Sequence, residues 1–187
     1  MTLLPVLWAV IAGFNATIGL LYYGHVHSTR WNVKTLADRP TLPKKSIATT
    51  IAEQHTLHSP SIDEGTSRQP SECTIYTIKA RIVESLLESD GDYHLVLEDN
   101  GLQMVAEIPQ PIDPVPSEYR PIFYAARRTI DSLIGAPDVQ ASVLDQPKCV
   151  EVTGVGFFDE SHTFVPHGMA PNCREIHPVL FVKGCNR

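Results

Sequence analysis

Three short segments of alternating apolar and polar residues follow one another in the middle of the chain, and tight turns separate them. The segments are 74–83, 93–98 and 102–108, and alternation with a period of two is typical of a half-buried β-strand. Ser89–Asp92 is a turn signal, and Asn100-Gly101 favours a tight turn because both residues accept a positive φ. The pattern predicts a three-stranded meander and restricts this region to a β fold.

A helix and two further strands are predicted after the meander. Apolar residues recur at helical spacing between Ser117 and Gly135, and the segments 149–158 and 175–183 have the composition of strands. The order β-β-β-α-β-β is that of the OB-fold, in which closure of the sheet hides strand edges. We expect a mainly β fold: a five-stranded, OB-like Greek-key barrel with one helix between strands 3 and 4, preceded by a single N-terminal transmembrane helix.

The predicted transmembrane helix is the run Leu3–Tyr23, which carries no charge and is long enough to cross a bilayer. A cleaved signal peptide is the alternative, but no Lys or Arg precedes the run and its end is a poor cleavage site. We predict that residues 1–24 are a retained anchor. Small residues on one face of this helix are predicted to pack against other membrane helices: Ala9, Gly13, Ala16 and Gly19.

The remaining chain divides into two parts by composition. Residues 25–72 are rich in Ser, Thr, Pro and His, which predicts an extended arm or linker. Residues 73–187 contain all the predicted strands and form the barrel domain.

Several blocks of the sequence resemble a family of exported or membrane-anchored bacterial proteins of similar size. The blocks are DGDYHLVLEDNG, MVAEIPQP, VEVTGVGFFDESH, HGMAPN and EIHPVL, together with WNVKTLADRP at 31–40. In that family the same blocks surround an OB-like barrel behind an export segment. The resemblance covers about residues 32–182 and implies a fold and export, but it implies no reaction.

Features of the sequence conflict on which side of the membrane the barrel lies. The basic residues Arg30, Lys34 and Arg39 follow the anchor and favour the cytoplasm by the positive-inside rule. The family resemblance and the cysteines favour the outside, where disulfides persist. We expect a single-pass protein of the bacterial inner membrane whose barrel lies on the periplasmic or extracytoplasmic side.

Carboxylates and imidazoles lie near turns and strand starts and are the candidates for chemistry: Asp92, His94, Asp159, Glu175 and His177. Such sets bind Zn²⁺ or other divalent ions, and Glu175 and His177 face the same way on a strand. No compact metal motif such as His-Glu-x-x-His occurs. We expect these side chains to make structural hydrogen bonds, with no catalytic residue, metal or cofactor; a metal-dependent, nuclease-like hydrolase is the alternative.

Charge argues against a nucleic-acid partner. From Cys73 onward the chain has 9 Lys and Arg but 16 Asp and Glu, so most of this surface repels a polyanion. Nuclease chemistry also needs arginines that clamp a phosphate, and the second and third predicted strands have none.

The cysteines all lie in the predicted barrel: Cys73, Cys149, Cys173 and Cys185. Four cysteines allow three connectivities, and no Cys-x-x-Cys motif indicates a zinc knuckle or a redox pair. We expect two disulfides, with four buried thiols as the alternative.

These features together predict a non-enzymatic, membrane-anchored interaction module. We expect its partners to be membrane-embedded proteins, contacted through the N-terminal helix and the arm, and the lipid bilayer itself. The role would be that of an accessory or stabilising subunit of a membrane complex. An exported domain that binds a small ligand is a further alternative.

Overall fold

The computed structural model describes residues 28–160 and 168–186. Its helices are α1 (Thr29–Lys34), α2 (Ile51–His55) and α3 (Arg120–Ile134), with a short 3-10 helix at Pro70–Cys73. Its strands are β1 (Ile47–Thr49), β2 (Ile75–Leu87), β3 (Tyr93–Asp99), β4 (Leu102–Ile108), β5 (Ser142–Phe158) and β6 (Arg174–Gly184).

The six strands form one sheet in the order β1-β2-β3-β4-β6-β5, and β2 pairs in addition with β5. The pairs β2–β3, β3–β4, β2–β5 and β5–β6 are antiparallel, whereas β1–β2 and β4–β6 are parallel. The strands β4 and β6 meet over two residue pairs, Val105 with Glu175 and Ala106 with Ile176. This short parallel contact places β6 beside β4 and so brings two distant parts of the sequence together.

The predicted five-stranded closed barrel with a single helix is wrong. The chain is mainly β, and strands occur at each predicted position, but β1 adds a sixth strand that leaves an edge of the sheet open. Two helices and a 3-10 helix also lie before β2. The sequence did not indicate β1 because a three-residue strand is too short to show alternation.

The predicted membrane helix falls on residues that the structure does not describe. Residues 1–24 and the small-residue face Ala9, Gly13, Ala16 and Gly19 lie outside the described residues. Among the helices of residues 28–160 and 168–186, none is long and apolar enough to cross a membrane.

The main core lies on one face of the sheet, beneath α3. Alternate residues of β3 and β4 point into it, including Leu95, Leu97 and Met104, and α3 contributes Phe123 and Ile130. Removal of these apolar side chains from water is the main stabilising contribution to the fold.

The opposite face of β3 and β4 is buried at His94, Val96, Val105 and Glu107, and α1 reaches the turn before β3 through the contact of Lys34 with Asp90. The side chain of Ser28 caps α1 by accepting a hydrogen bond from the Trp31 N–H. The guanidinium of Arg30 stacks on the Phe157 ring at 4.2 Å and makes a two-point contact with Glu72, at 2.7 and 3.1 Å. Part of the segment predicted as an arm therefore packs as a second layer on the sheet.

One disulfide is formed, between Cys149 and Cys185, and it joins β5 to the residue after β6. The prediction of a disulfide is confirmed for this pair. The predicted second bond is not formed, since Cys73 and Cys173 are not joined to each other.

Candidate metal centre

A group of charged side chains is buried between the sheet and α1. We call it the polar cluster; its members are Lys34, Glu88, Asp90, Asp92, His94, Glu107, Glu175 and His177. Asp92 and His177 are each 1% exposed, and the Glu107 side chain is 8% exposed. Charged groups buried this deeply are stable only when they are paired or coordinate an ion.

Strand register brings the central members of the polar cluster together. In the β3–β4 hairpin His94 lies directly opposite Glu107, so both side chains are on the same face. On the other side of β4, the parallel pairing of Ala106 with Ile176 brings His177 alongside Glu107. Glu107 therefore lies between two imidazoles that come from different strands.

Asp92 is fixed by the turn that precedes β3. Its backbone N–H donates to Asp90 Oδ1 at 3.1 Å, and its own Oδ1 accepts the backbone N–H of Gln110 at 2.8 Å. The other oxygen, Oδ2, faces His177 Nε2 at 3.4 Å. The turn residue thus presents one carboxylate oxygen to the polar cluster.

His177 has carboxylates on both sides but no aligned hydrogen bond. Its Nδ1 lies 3.0 Å from Glu107 Oε2 and 3.7 Å from Glu175 Oε2. Nevertheless both ring nitrogens and Asp92 Oδ2 are buried without a hydrogen-bond partner among the described residues. One ligating atom each from Asp92, Glu107 and His177 lies within 4.8 Å of the other two, an arrangement that could hold a metal ion.

A second group shares Glu107. His94 Nδ1 lies 2.9 Å from Glu107 Oε1 and 3.2 Å from Glu88 Oε1, and ligating atoms of these three residues also lie within 4.8 Å of one another. Glu88 is the member closest to solvent, because its side chain is 34% exposed.

Lys34 connects α1 to the polar cluster. Its ammonium lies 2.7 Å from Asp90 Oδ2 and 3.5 Å from Asp92 Oδ2, and 4.4 Å from the centre of the Trp31 ring. Burial lowers the pKa of Lys34, but the Asp92 and Asp90 carboxylates outweigh burial and raise that pKa above its usual range. Lys34 is therefore charged and holds α1 on the sheet.

The histidines hold protons in the absence of a metal ion. Burial lowers the pKa of His177, but Glu107 and Asp92 raise it well above the usual range. Burial also lowers the pKa of His94, and hydrogen bonds with Glu107 and Glu88 raise it to about 11. Burial raises the pKa of Glu107, whereas His177 and His94 hold it well below the usual range. Two imidazolium groups on one carboxylate are therefore the charge state of the metal-free cluster.

Glu175 behaves differently from Glu107. Burial raises its pKa to about 8, and the Glu107 and Asp159 carboxylates add to the rise, although the adjacent His177 opposes it. Near neutral pH the metal-free protein therefore carries a protonated carboxyl at this position.

The structure brings together four of the five residues singled out in the sequence: Asp92, His94, Glu175 and His177. The expectation that they make structural hydrogen bonds is met by Asp92 with Gln110 and by His94 with Glu107. Asp159 follows β5, and although its charge acts on Glu175 it belongs to neither of the two groups of possible ligands.

Sequence reasoning missed Glu107, Glu88 and Lys34. A signal for Glu107 was present, because a two-residue turn at Asn100-Gly101 places residue 107 opposite His94. Nothing local indicated Lys34, whose contacts with Asp90 and Asp92 cross more than 50 residues of sequence.

Comparison with models of protein families gives no match, and neither does comparison with curated proteins. Among solved structures, the chain is similar to one assigned as an aspartyl-tRNA synthetase from Leishmania major Friedlin, with a TM-score of 0.42 and 14% identity over 77% of this chain. It is also similar to Entamoeba histolytica asparaginyl-tRNA synthetase, with a TM-score of 0.39 and 11% identity over 76% of this chain. The match spans 21% and 24% of those chains, and at these TM-scores it assigns neither fold nor function.

Proposed function

We propose that this protein is a metal-binding, non-catalytic domain that holds a divalent cation between its sheet and α1. The ligands would be Asp92, Glu107 and His177. The observation that carries the proposal is the set of buried atoms without a hydrogen bond: Asp92 Oδ2 and both ring nitrogens of His177. Buried polar groups are nearly always satisfied in native proteins, so unbonded atoms on two adjacent side chains favour an ion beside them.

The surrounding contacts orient the proposed ligands. The Gln110 N–H fixes one oxygen of Asp92, and His94 fixes one oxygen of Glu107, so each carboxylate offers its second oxygen to the same point. Hydrogen bonds of this kind raise the affinity of metal sites by holding ligands in place. One imidazole with two carboxylates suits Zn²⁺, Mn²⁺ or another first-row divalent ion.

A hydrogen-bonded scaffold is the competing interpretation of the same residues. In that case the protonated His177 would donate to Asp92 and Glu107, and the two distances of 3.4 and 3.0 Å are short enough. The angles do not fit, because neither ring nitrogen makes a hydrogen bond with the described residues. A cation needs one ligating atom of each residue within reach of a single point, and these atoms of Asp92, Glu107 and His177 lie within 4.8 Å of one another.

Burial favours a structural role for the cation over hydrolysis. Catalytic sites keep an open position for water or substrate, whereas structural sites are closed by protein ligands. Asp92 and His177 are 1% exposed, and Lys34 of α1 pairs with Asp90 and lies 3.5 Å from Asp92 Oδ2. The cation would therefore join the N-terminal segment to the sheet. The role in a protein complex stays a prediction, and no contact in the structure favours it.

Elemental analysis of the full chain tests the proposal. We expect at least one tightly held divalent ion per chain, a lower melting temperature in chelator, and loss of the ion in His177→Gln. The matched control is His58→Gln, because His58 is exposed and lies outside the polar cluster. A wild-type protein that binds no added Zn²⁺ or Mn²⁺ and melts identically in chelator would overturn the proposal in favour of the scaffold.

A further inference from the structure

We infer that the polar cluster binds two divalent cations and that Glu107 bridges them. The inference rests on the cation site proposed above and extends it to a second site formed by Glu88, His94 and Glu107. Neither triad was expected as a metal site from the sequence, and the second contains Glu88 and Glu107, which the sequence did not single out.

The two oxygens of Glu107 face different imidazoles. Oε1 lies 2.9 Å from His94 Nδ1, and Oε2 lies 3.0 Å from His177 Nδ1. The cause is the position of β4 between β3 and β6, since one imidazole arrives from each neighbouring strand. A carboxylate held in this way can give one oxygen to each of two cations, as in two-metal sites whose ions are about 3.5–4 Å apart.

The two halves of the polar cluster have the same composition. Each contains one imidazole, one carboxylate of its own and one oxygen of Glu107; the carboxylate is Asp92 in one half and Glu88 in the other. In each half the ligating atoms lie within 4.8 Å of one another. Ligand distances for Zn²⁺ are about 2.0–2.2 Å, so small side-chain rotations bring each set onto one ion.

The charge of the polar cluster is compatible with two ions. With neutral imidazoles and ionised carboxyls, the polar cluster contains five carboxylates and one ammonium, a net charge of −4 that two divalent cations offset. Buried charge must be compensated. The unbonded atoms of Asp92 and His177 point into the first half, and the partly exposed Glu88 gives the second half access to solvent.

The test uses the full chain, freed of metal by chelator and then equilibrated with Mn²⁺. We expect two Mn²⁺ per chain by elemental analysis, and an electron paramagnetic resonance spectrum of an exchange-coupled pair. Glu88→Gln should reduce the stoichiometry from two to one and give the spectrum of an isolated ion. Glu88 is partly exposed, so this variant is expected to fold; His94→Gln provides a second test of the same half.

Glu118→Gln is the control, because this exposed glutamate lies outside the polar cluster, pairs with exposed Arg39 and should leave two ions bound. One Mn²⁺ per chain in wild type, unchanged in Glu88→Gln, would overturn the two-ion inference and leave the proposed function standing. Two bound ions in each of the three proteins, wild type, Glu88→Gln and His94→Gln, would also overturn the two-ion inference. No bound Mn²⁺ at all would overturn both proposals.

Discussion

The backbone N–H of Gln110 donates to Asp92 Oδ1 at 2.8 Å, and this bond determines which oxygen of Asp92 enters the polar cluster. Gln110 follows β4 and Asp92 precedes β3, so the bond closes the open end of the β3–β4 hairpin. A residue that looks like an ordinary turn aspartate thereby presents its Oδ2 to His177.

Replacement of Asp92 by Asn tests this relationship. The Asn carbonyl oxygen can still accept the Gln110 N–H, which turns the NH₂ group towards His177, where it cannot ligate a cation. We expect the affinity for Zn²⁺ or Mn²⁺ to fall at least about 10–100-fold, the range typical of losses around metal sites. Isothermal titration calorimetry measures the change. Exposed Asp138→Asn should leave the affinity unchanged, and an unchanged affinity in Asp92→Asn would exclude Asp92 as a ligand.

Lys34→Met should destabilise the metal-free protein more than the metal-loaded one. The substitution leaves Asp90 and Asp92 buried without their ammonium partner, and breaking a buried pair costs about 3–5 kcal/mol. A bound cation offsets the same carboxylates, so Mn²⁺ should recover part of the loss. Chemical denaturation with chelator and with Mn²⁺ measures both values. The exposed Lys44→Met is the control, and equal losses in both conditions would contradict the prediction.

The pH dependence of the metal-free protein should change in Glu175→Gln. Burial raises the pKa of Glu175 from 4.5 to about 8, so the folded state keeps a proton that the unfolded state releases. The folded state binds more protons between these values, so this group makes the free energy of unfolding fall as pH rises from 4.5 to 8. Gln cannot ionise, so the variant should gain stability relative to wild type across this window.

Denaturation in chelator at pH 5 and pH 8 checks this expectation. Glu118→Gln should follow the wild-type pH profile, because Glu118 is exposed and its ion pair with Arg39 contributes little. If the free energies of unfolding of Glu175→Gln and wild type differ by the same amount at both pH values, Glu175 is not protonated in the folded state.

Local patterns predicted most of the sheet, and the failures have local causes. Alternation and the turns located β3 and β4, and Asn100 has the expected positive φ of 51°. The extension of β5 back to Ser142 was missed because it includes Pro147 and polar residues that resemble a turn. Within α3 the residues Phe123, Ala126 and Ile130 are buried, whereas Ile122 is 37% exposed.

The candidate site could be predicted only in part, because many of its contacts join residues that are far apart in the sequence. Residues that face away from the core of β3, such as His94, are expected in solvent unless another layer covers them. The N-terminal segment reaches this region through contacts that are distant in sequence: Lys34 bonds Asp90 across 56 residues, and Arg30 bonds Glu72 across 42. The helix α1 has only six residues and lies in a polar stretch of sequence, so local patterns do not predict that it packs on other parts of the chain.

Gly156→Ala should destabilise the fold through β5. A Cβ at this position would lie 1.8 Å from Arg174 Nη2 and 2.9 Å from Tyr76 Cε2. Arg174 is fully buried and is held by Gln54 Oε1 at 3.1 Å and the Ser71 carbonyl at 3.2 Å, so it cannot move aside freely. Overpacking of this kind costs about 1–3 kcal/mol. In Gly65→Ala the new Cβ meets Asp63 only at 3.5 Å, and thermal melting should separate the two variants.

Removal of the disulfide should loosen the end of the sheet and leave the polar cluster intact. The bond joins Cys149 to Cys185 across 36 residues, beside the backbone bond from the Cys185 N–H to the Cys149 carbonyl at 3.0 Å. A crosslink over a loop of this length contributes about 2–4 kcal/mol by restricting the unfolded chain. The Cys149→Ser/Cys185→Ser variant should therefore melt lower, and reducing agent should lower the melting temperature of wild type but not of this variant.

Cys73→Ser, the control, should keep the wild-type response to reduction, and metal stoichiometry should be equal in all three proteins. If full reduction, verified by thiol titration, does not change the melting temperature of the wild-type protein, the bond has no stabilising role.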